Sequence, residues 1–95
     1  MIYLTAIGDK AFNGCTKLKK VTIGSKVTTI EKQAFNGCKA LTSITVNSKV
    51  LKTVGASALK GISAKAVIKV PAAKLSAYQK LFKGKGQKNS VKITK

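Results

Sequence analysis

The sequence predicts an α/β solenoid, in which short parallel strands stack coil upon coil and short helical turns connect them. Four large apolar residues recur 23, 24 and 23 residues apart: Phe12, Phe35, Leu59 and Phe82. The sequence around them repeats as well. Residues 7–23 read IGDKAFNGCTKLKKVTI, residues 30–46 read IEKQAFNGCKALTSITV, and a more divergent copy occupies 54–70. A fixed period in the twenties is typical of a solenoid, whose units bury their apolar faces only against one another.

Each unit contains a short strand with one buried face. In the second copy Ile44 and Val46 are apolar and Thr45 between them is polar, an alternation that places the two apolar side chains on the same face. Three pairs of apolar residues predict a second, shorter extended stretch in each unit: Leu4 and Ile7, Val27 and Ile30, and Val50 and Val54.

The segment between the strands predicts a single helical turn. Ala34, Phe35 and Cys38 fall on one side of such a turn. Gly37 follows, and glycine readily adopts the left-handed conformation that ends a helix.

The C-terminal segment predicts a longer helix followed by a strand. Pro71 stands near the start of a helix of about three turns and Gly84 near its end. Its apolar face is formed by Leu75, Tyr78, and Leu81 or Phe82. Val91 and Ile93 fall 23 residues after Ile68 and Val70, which predicts a closing strand in the same register. We therefore expect one domain over 1–95, with coils at about 4–27, 27–50 and 50–70 and a cap at 71–95.

The charge balance is strongly basic. All nineteen cationic residues are lysine, the only acidic residues are Asp9 and Glu31, and the net charge is +17. Such a chain favours anionic partners. With no histidine and two carboxylates, it cannot form a Ser-His-Asp or Cys-His constellation, and two cysteines cannot complete a four-ligand zinc site. We predict no catalytic, cofactor-binding or metal-binding residues and no enzymatic activity.

The sequence contains no membrane-spanning run and no leader pattern at its start. No stretch approaches the roughly 20 apolar residues of a transmembrane helix. The first residues, MIYLTAIGDKAF, lack the basic and apolar regions of a signal peptide. We interpret the chain as a mature fragment or an excised module.

The block IGxxAFxGCxxLxxVTI resembles the BspA-like, Treponema pallidum-type leucine-rich repeat of bacterial surface proteins. The first two copies match it most closely, and in the third Ile62 replaces the cysteine and Lys65 occupies the leucine position. Ordinary leucine-rich repeats place Asn where this chain has Lys26 and Lys49. The resemblance implies a right-handed solenoid outside a bacterial cell or on its surface. It also implies adhesion, binding of matrix or host proteins or interspecies contact, and no catalytic residues.

Cys15 and Cys38 occupy equivalent positions in adjacent coils. Neighbouring strands lie about 4.8 Å apart, a separation that permits a disulfide between stacked coils. The repeat alone explains this spacing, however, so we expect two free thiols that act as small apolar fillers.

One polar row keeps the period on the outward side of the strands: Thr22, Thr45, Lys69 and Lys92. We predict that this row contacts a ligand. The same pattern is equally expected of an ordinary solvated sheet face, and the four aromatic and leucine positions are better explained as core.

Three functions fit this sequence. The first is a non-catalytic binding or adhesion module for a host or matrix protein or a glycan. The second is a nonspecific electrostatic binder of nucleic acid or an anionic polymer, with steep salt dependence; specific base readout is not expected without arginine. The third is a structural spacer. We expect a monomer or part of a longer repeat array.

Overall fold

The described part of the chain forms two parallel sheets and one short α-helix. The computed structural model describes residues 2–4, 7, 8 and 10–95. The strands in chain order are β1 (Ile2–Leu4), β2 (Lys20–Ile23), β3 (Thr29–Ile30), β4 (Ser43–Val46), β5 (Thr53–Val54), β6 (Val67–Lys69) and β7 (Lys92–Thr94). A 3₁₀ turn (Ala72–Lys74) leads directly into helix α1 (Leu75–Leu81). The larger sheet has the order β1-β2-β4-β6-β7, and β3 pairs with β5 in the smaller one. Strand order follows chain order, as in a solenoid.

The register of the large sheet keeps the sequence period through β6 and then departs from it. Val21 pairs with Ile44, and Ile44 pairs with Ile68. Ile68 then pairs with Ile93, 25 residues later. The predicted register, with Val91 opposite Ile68, is therefore wrong by two residues. The physical reason is that the last coil contains α1 and needs a longer path to return to the sheet.

The turn side of the last coil also departs from the period. The Leu59 N–H donates to the Lys85 carbonyl at 2.9 Å. In the coil before, the equivalent bond runs from the Phe35 N–H to the Ala58 carbonyl. Gly86 approaches Lys60 so closely that an added Cβ would lie 2.7 Å from the Lys60 Cβ, whereas a Cβ added to Gly84 would meet no atom within 4 Å. The residues at 85 and 86, not those at 81–84, thus stack on the third turn.

Phe82 nevertheless joins the core. Its side chain is fully buried and contacts Tyr78 edge to face, with ring centroids 6.5 Å apart. It reaches the core from the end of α1. The helix predicted after Pro71 is present but shorter than the predicted three turns, because a 3₁₀ turn precedes the seven residues of α1. Tyr78 is its buried residue, and Phe82 follows its last residue.

The second extended stretch is confirmed in part. Ile30 pairs with Val54 and forms a bridge with Ile7. Leu4 does not belong to this stretch, because it pairs with Ile23 at the edge of the large sheet. Val50 does not belong to it either, because β5 begins at Thr53. Val50 is 47% exposed, and its neighbour Leu51 is buried.

The segments predicted as helical turns are tight turns. Some of their backbone N–H groups donate to carbonyls of the following coil. Within the second turn the Cys38 N–H donates to the Phe35 carbonyl at 3.2 Å, a single-turn bond. The Phe12 N–H instead donates to the Ala34 carbonyl of the following coil at 2.7 Å. Gly37 has φ +81°, as predicted.

The core is a continuous apolar column between the sheets and the turns. Phe12 and Phe35 stack in parallel, with ring centroids 5.6 Å apart and planes 3° apart. In the second coil Phe35 and Leu41 are fully buried. The equivalent residues of the first coil, Phe12 and Leu18, remain partly exposed.

A buried hydroxyl network connects α1 to the loop after β4. The Tyr78 hydroxyl donates to the Ser48 carbonyl at 2.9 Å and accepts the Leu51 N–H at 3.1 Å. The Ser48 hydroxyl donates to the Val27 carbonyl at 2.5 Å and accepts the Val50 N–H at 3.1 Å. Every buried side-chain oxygen and nitrogen in the described part of the chain has a partner, so the helix is fixed by polar contacts as well as packing.

Cys15 and Cys38 are free thiols, as predicted. Cys38 is buried, and its thiol donates to the Phe12 carbonyl at 3.1 Å. Burial raises the pKa of the Cys38 thiol, the neighbouring Cys15 raises it further, and the Cys15 backbone N–H acts in the opposite direction. Cys15 is partly exposed.

Phe35→Ala is expected to lower the free energy of unfolding by about 3–5 kcal/mol, because it removes a fully buried ring. Phe12→Ala removes the stacking partner of Phe35 from a partly exposed position and should lower the free energy of unfolding by less. Urea denaturation measures both values. Equal losses for the two variants would contradict the proposed burial of the second coil.

Iodoacetamide should alkylate Cys15 well before Cys38 in the native protein at pH about 8, since the thiolate is the reactive form. Mass spectrometry of quenched samples gives the order, and a denatured sample should show similar rates at both thiols. A native Cys38 that reacts first would contradict the structure.

Candidate functional site

From β2 to β7 the solvent-facing side of the large sheet carries polar side chains apart from the exposed Val67, and the opposite side faces the core. In β4 Ile44 and Val46 are buried and Thr45 is partly exposed. In β6 Ile68 is buried and Lys69 is exposed. The alternation predicted for the strands is therefore confirmed at the centre of the sheet.

The structure brings together three of the four residues of the predicted row. Thr22 pairs with Thr45, and Thr45 pairs with Lys69. Thr22 is only 6% exposed, so it offers little surface to a ligand. Thr94, rather than the predicted Lys92, pairs with Lys69.

Lys92 is on the same face but outside the row. It pairs with Val67, two residues before the predicted position, because the last coil is longer. Both side chains are exposed. A ligand-binding role for the row remains a prediction.

A groove of about 420 Å³ opens where β4 and β6 end. We call it the β4–β6 groove. Seven residues line it: Thr45, Val46, Asn47, Lys49, Lys69, Val70 and Pro71. It thus contains Thr45 and Lys69 from the predicted row and adds residues from the segments that follow the two strands.

Two ammonium groups dominate the electrostatics of the β4–β6 groove. Lys49 and Lys69 are exposed, and no carboxylate is among the lining residues. Val46 and Val70 line the groove but are buried, so the partly exposed Pro71 provides most of the apolar surface that these three residues offer to a ligand. The combination suits a small anionic group held beside an apolar surface.

The backbone around the β4–β6 groove is fixed on both sides. The Asn47 N–H donates to the Ile23 carbonyl at 2.9 Å. The Val70 N–H donates to the Thr94 carbonyl at 2.7 Å. Its walls are therefore held by the neighbouring coils rather than by a free loop.

Sequence reasoning missed Asn47, Lys49 and Pro71 as members of this site. Lys49 stood out only as a departure from the asparagine of ordinary leucine-rich repeats. The available signal was its position shortly after a strand, because the carboxyl ends of neighbouring parallel strands meet at one edge of a sheet.

Two smaller depressions are also present, and of these only the first includes a carboxylate. One, of about 270 Å³, lies beside β3 and includes both Lys26 and Glu31. The other, of about 220 Å³, lies between α1 and β7 and includes Lys83 and Lys88. Among the described residues no cluster of three or more metal-ligating side chains occurs. The part of the chain that the structure describes contains no helix suited to spanning a membrane.

Comparison with known proteins identifies the repeat. The family model described as BspA type leucine rich repeat region, with six copies, matches residues 3–95. Neither the curated proteins nor the solved structures include a match. The matched range contains both parallel sheets and α1 except for Ile2, the first residue of β1. The chain therefore belongs to the BspA-type leucine-rich repeat family.

Proposed function

We propose that the protein is a non-catalytic binding module of a bacterial cell-surface or secreted protein. It binds a protein or a glycan through the outward face of the large sheet. Repeats of this family are typically protein-interaction modules. The observation that carries the proposal is the β4–β6 groove, where Thr45 and Lys69 of the polar row lie near Lys49 on a backbone fixed by neighbouring coils.

We also infer a right-handed winding with a capped C-terminal end. Crossovers between parallel strands of one sheet are right-handed in about 98% of cases. At the far edge β7 is short and bears Lys92, and charge on an edge strand discourages further pairing. Helix α1 packs beside this strand and connects to it through the Gln79 amide, which donates to the Ile93 carbonyl at 3.2 Å.

A nonspecific electrostatic binder is the second candidate. The net charge of +17 supports it, and lysines are distributed over the whole chain. Such binding should disappear at moderate ionic strength with any polyanion, because it depends on release of counterions.

An array of matrix proteins and glycans at about 0.15 M salt tests the sheet face. The double variant Lys69→Glu/Lys92→Glu should lose the interactions of the wild-type protein, because both side chains lie on that face. The matched variant Lys39→Glu/Lys52→Glu makes the same charge change at exposed residues outside the β4–β6 groove and should retain them.

Two results would reject the sheet-face proposal. One is an array on which the wild-type protein binds nothing at this salt concentration. The other is an equal loss in both double variants, which would assign binding to net charge alone.

A further inference from the structure

We propose that the β4–β6 groove is a subsite for an anionic sugar residue of an acidic polysaccharide. The inference rests on the proposed binding function of the sheet face and names the chemical class of its ligand. It concerns the side chains that follow β4 and β6, namely Asn47, Lys49 and Pro71, together with Thr45 and Lys69 in the strands themselves.

The cations of the β4–β6 groove are suited to a single acidic group. Lys49 and Lys69 are exposed on a site lined by no carboxylate. A lysine ammonium is a compact point charge with three donors, whereas arginine offers a planar fork for bidentate binding. Two flexible ammonium groups can therefore converge on one carboxylate or sulfate of variable orientation.

The neutral polar groups provide partners for hydroxyls. Thr45 is partly exposed and Asn47 is exposed. Neither side chain forms a hydrogen bond with another described residue, in contrast to Ser48, whose hydroxyl is used inside the protein. A hydroxyl and a carboxamide both donate and accept, as sugar hydroxyls require.

Pro71 gives the β4–β6 groove an apolar surface for the carbon skeleton of a sugar ring. Pro71 is partly exposed beside the buried Val46 and Val70. No aromatic side chain lines the groove, so bases of a nucleic acid would find no stacking platform. The volume of about 420 Å³ lies within the range of small-ligand sites.

The test is a nuclear magnetic resonance titration of the whole chain with short oligogalacturonate at about 0.15 M salt. A sulfated oligosaccharide of similar length distinguishes sulfate from carboxylate as the acidic group. Neutral maltotriose and a short glutamate peptide separate the contributions of sugar and charge. We expect saturable shifts at the amides of Thr45, Asn47, Lys69 and Val70 with at least one acidic sugar, and weaker shifts with both controls.

Lys49→Gln/Lys69→Gln should weaken this binding by about tenfold, the effect of removing two exposed ion pairs. Lys39→Gln/Lys52→Gln removes the same charge elsewhere and should change it less than about twofold. Unchanged amide spectra away from the substitutions would show that both variants are folded.

Three outcomes would overturn the inference. They are equal weakening in the two double variants, equal binding of the glutamate peptide, and no shift at the groove with either acidic sugar.

If the titration shows no binding of acidic sugars at the groove while the array still shows binding that depends on Lys69 and Lys92, the sheet-face function stands and only its ligand class is wrong. Binding of duplex DNA at the same amides with higher affinity would favour the electrostatic alternative.

Discussion

Backbone hydrogen bonds between successive turns hold each coil at a fixed distance from the next. Phe35 donates its N–H to the Ala58 carbonyl at 2.9 Å, and Gly37 donates to the Lys60 carbonyl at 2.8 Å. The strands pair in parallel on the other side of the core. Since paired strands lie about 4.8 Å apart, each inward position has room for one side chain per coil. This constraint explains why the sequence repeats in identity as well as in pattern.

The same spacing determines where glycine is required. Gly37 and Gly61 both have φ +81°, and a Cβ added to Gly61 would lie 3.1 Å from the Gly37 nitrogen. Gly55 is more restricted by space than by conformation, because an added Cβ would lie 2.3 Å from the Lys32 nitrogen. Close backbone approach and left-handed conformation are separate demands, and the repeat meets both with glycine.

The features predicted from sequence are ones that every coil repeats, and most of the features missed are local. The period predicted the strands, the left-handed Gly37 and the buried Phe35. One repeated feature was missed: Gln33 has φ +56°, and the equivalent residues Lys10 and Ser57 have φ +56° and +58°. None of these three residue types signals a left-handed conformation in a sequence. In the third coil Lys65 occupies the position equivalent to Leu41 but is exposed, and the next residue, Ala66, is buried. The small alanine side chain therefore takes the place of the leucine in the core. The shifted register of β7 follows from the length of the coil that contains α1. The β4–β6 groove is formed largely by the segments after the two strands, and the period describes neither feature.

The division between repeated and local features also bears on affinity. The backbone of the β4–β6 groove is held by the bonds from Asn47 to Ile23 and from Val70 to Thr94, so a ligand does not have to order it. Its two lysine side chains are exposed, and each loses up to about 2 kcal/mol of rotamer entropy when it becomes fixed. That loss offsets much of the gain from an exposed ion pair. A single groove should therefore bind its ligand weakly and distinguish ligands by shape. Strong binding would require one polymer to occupy several such grooves at once.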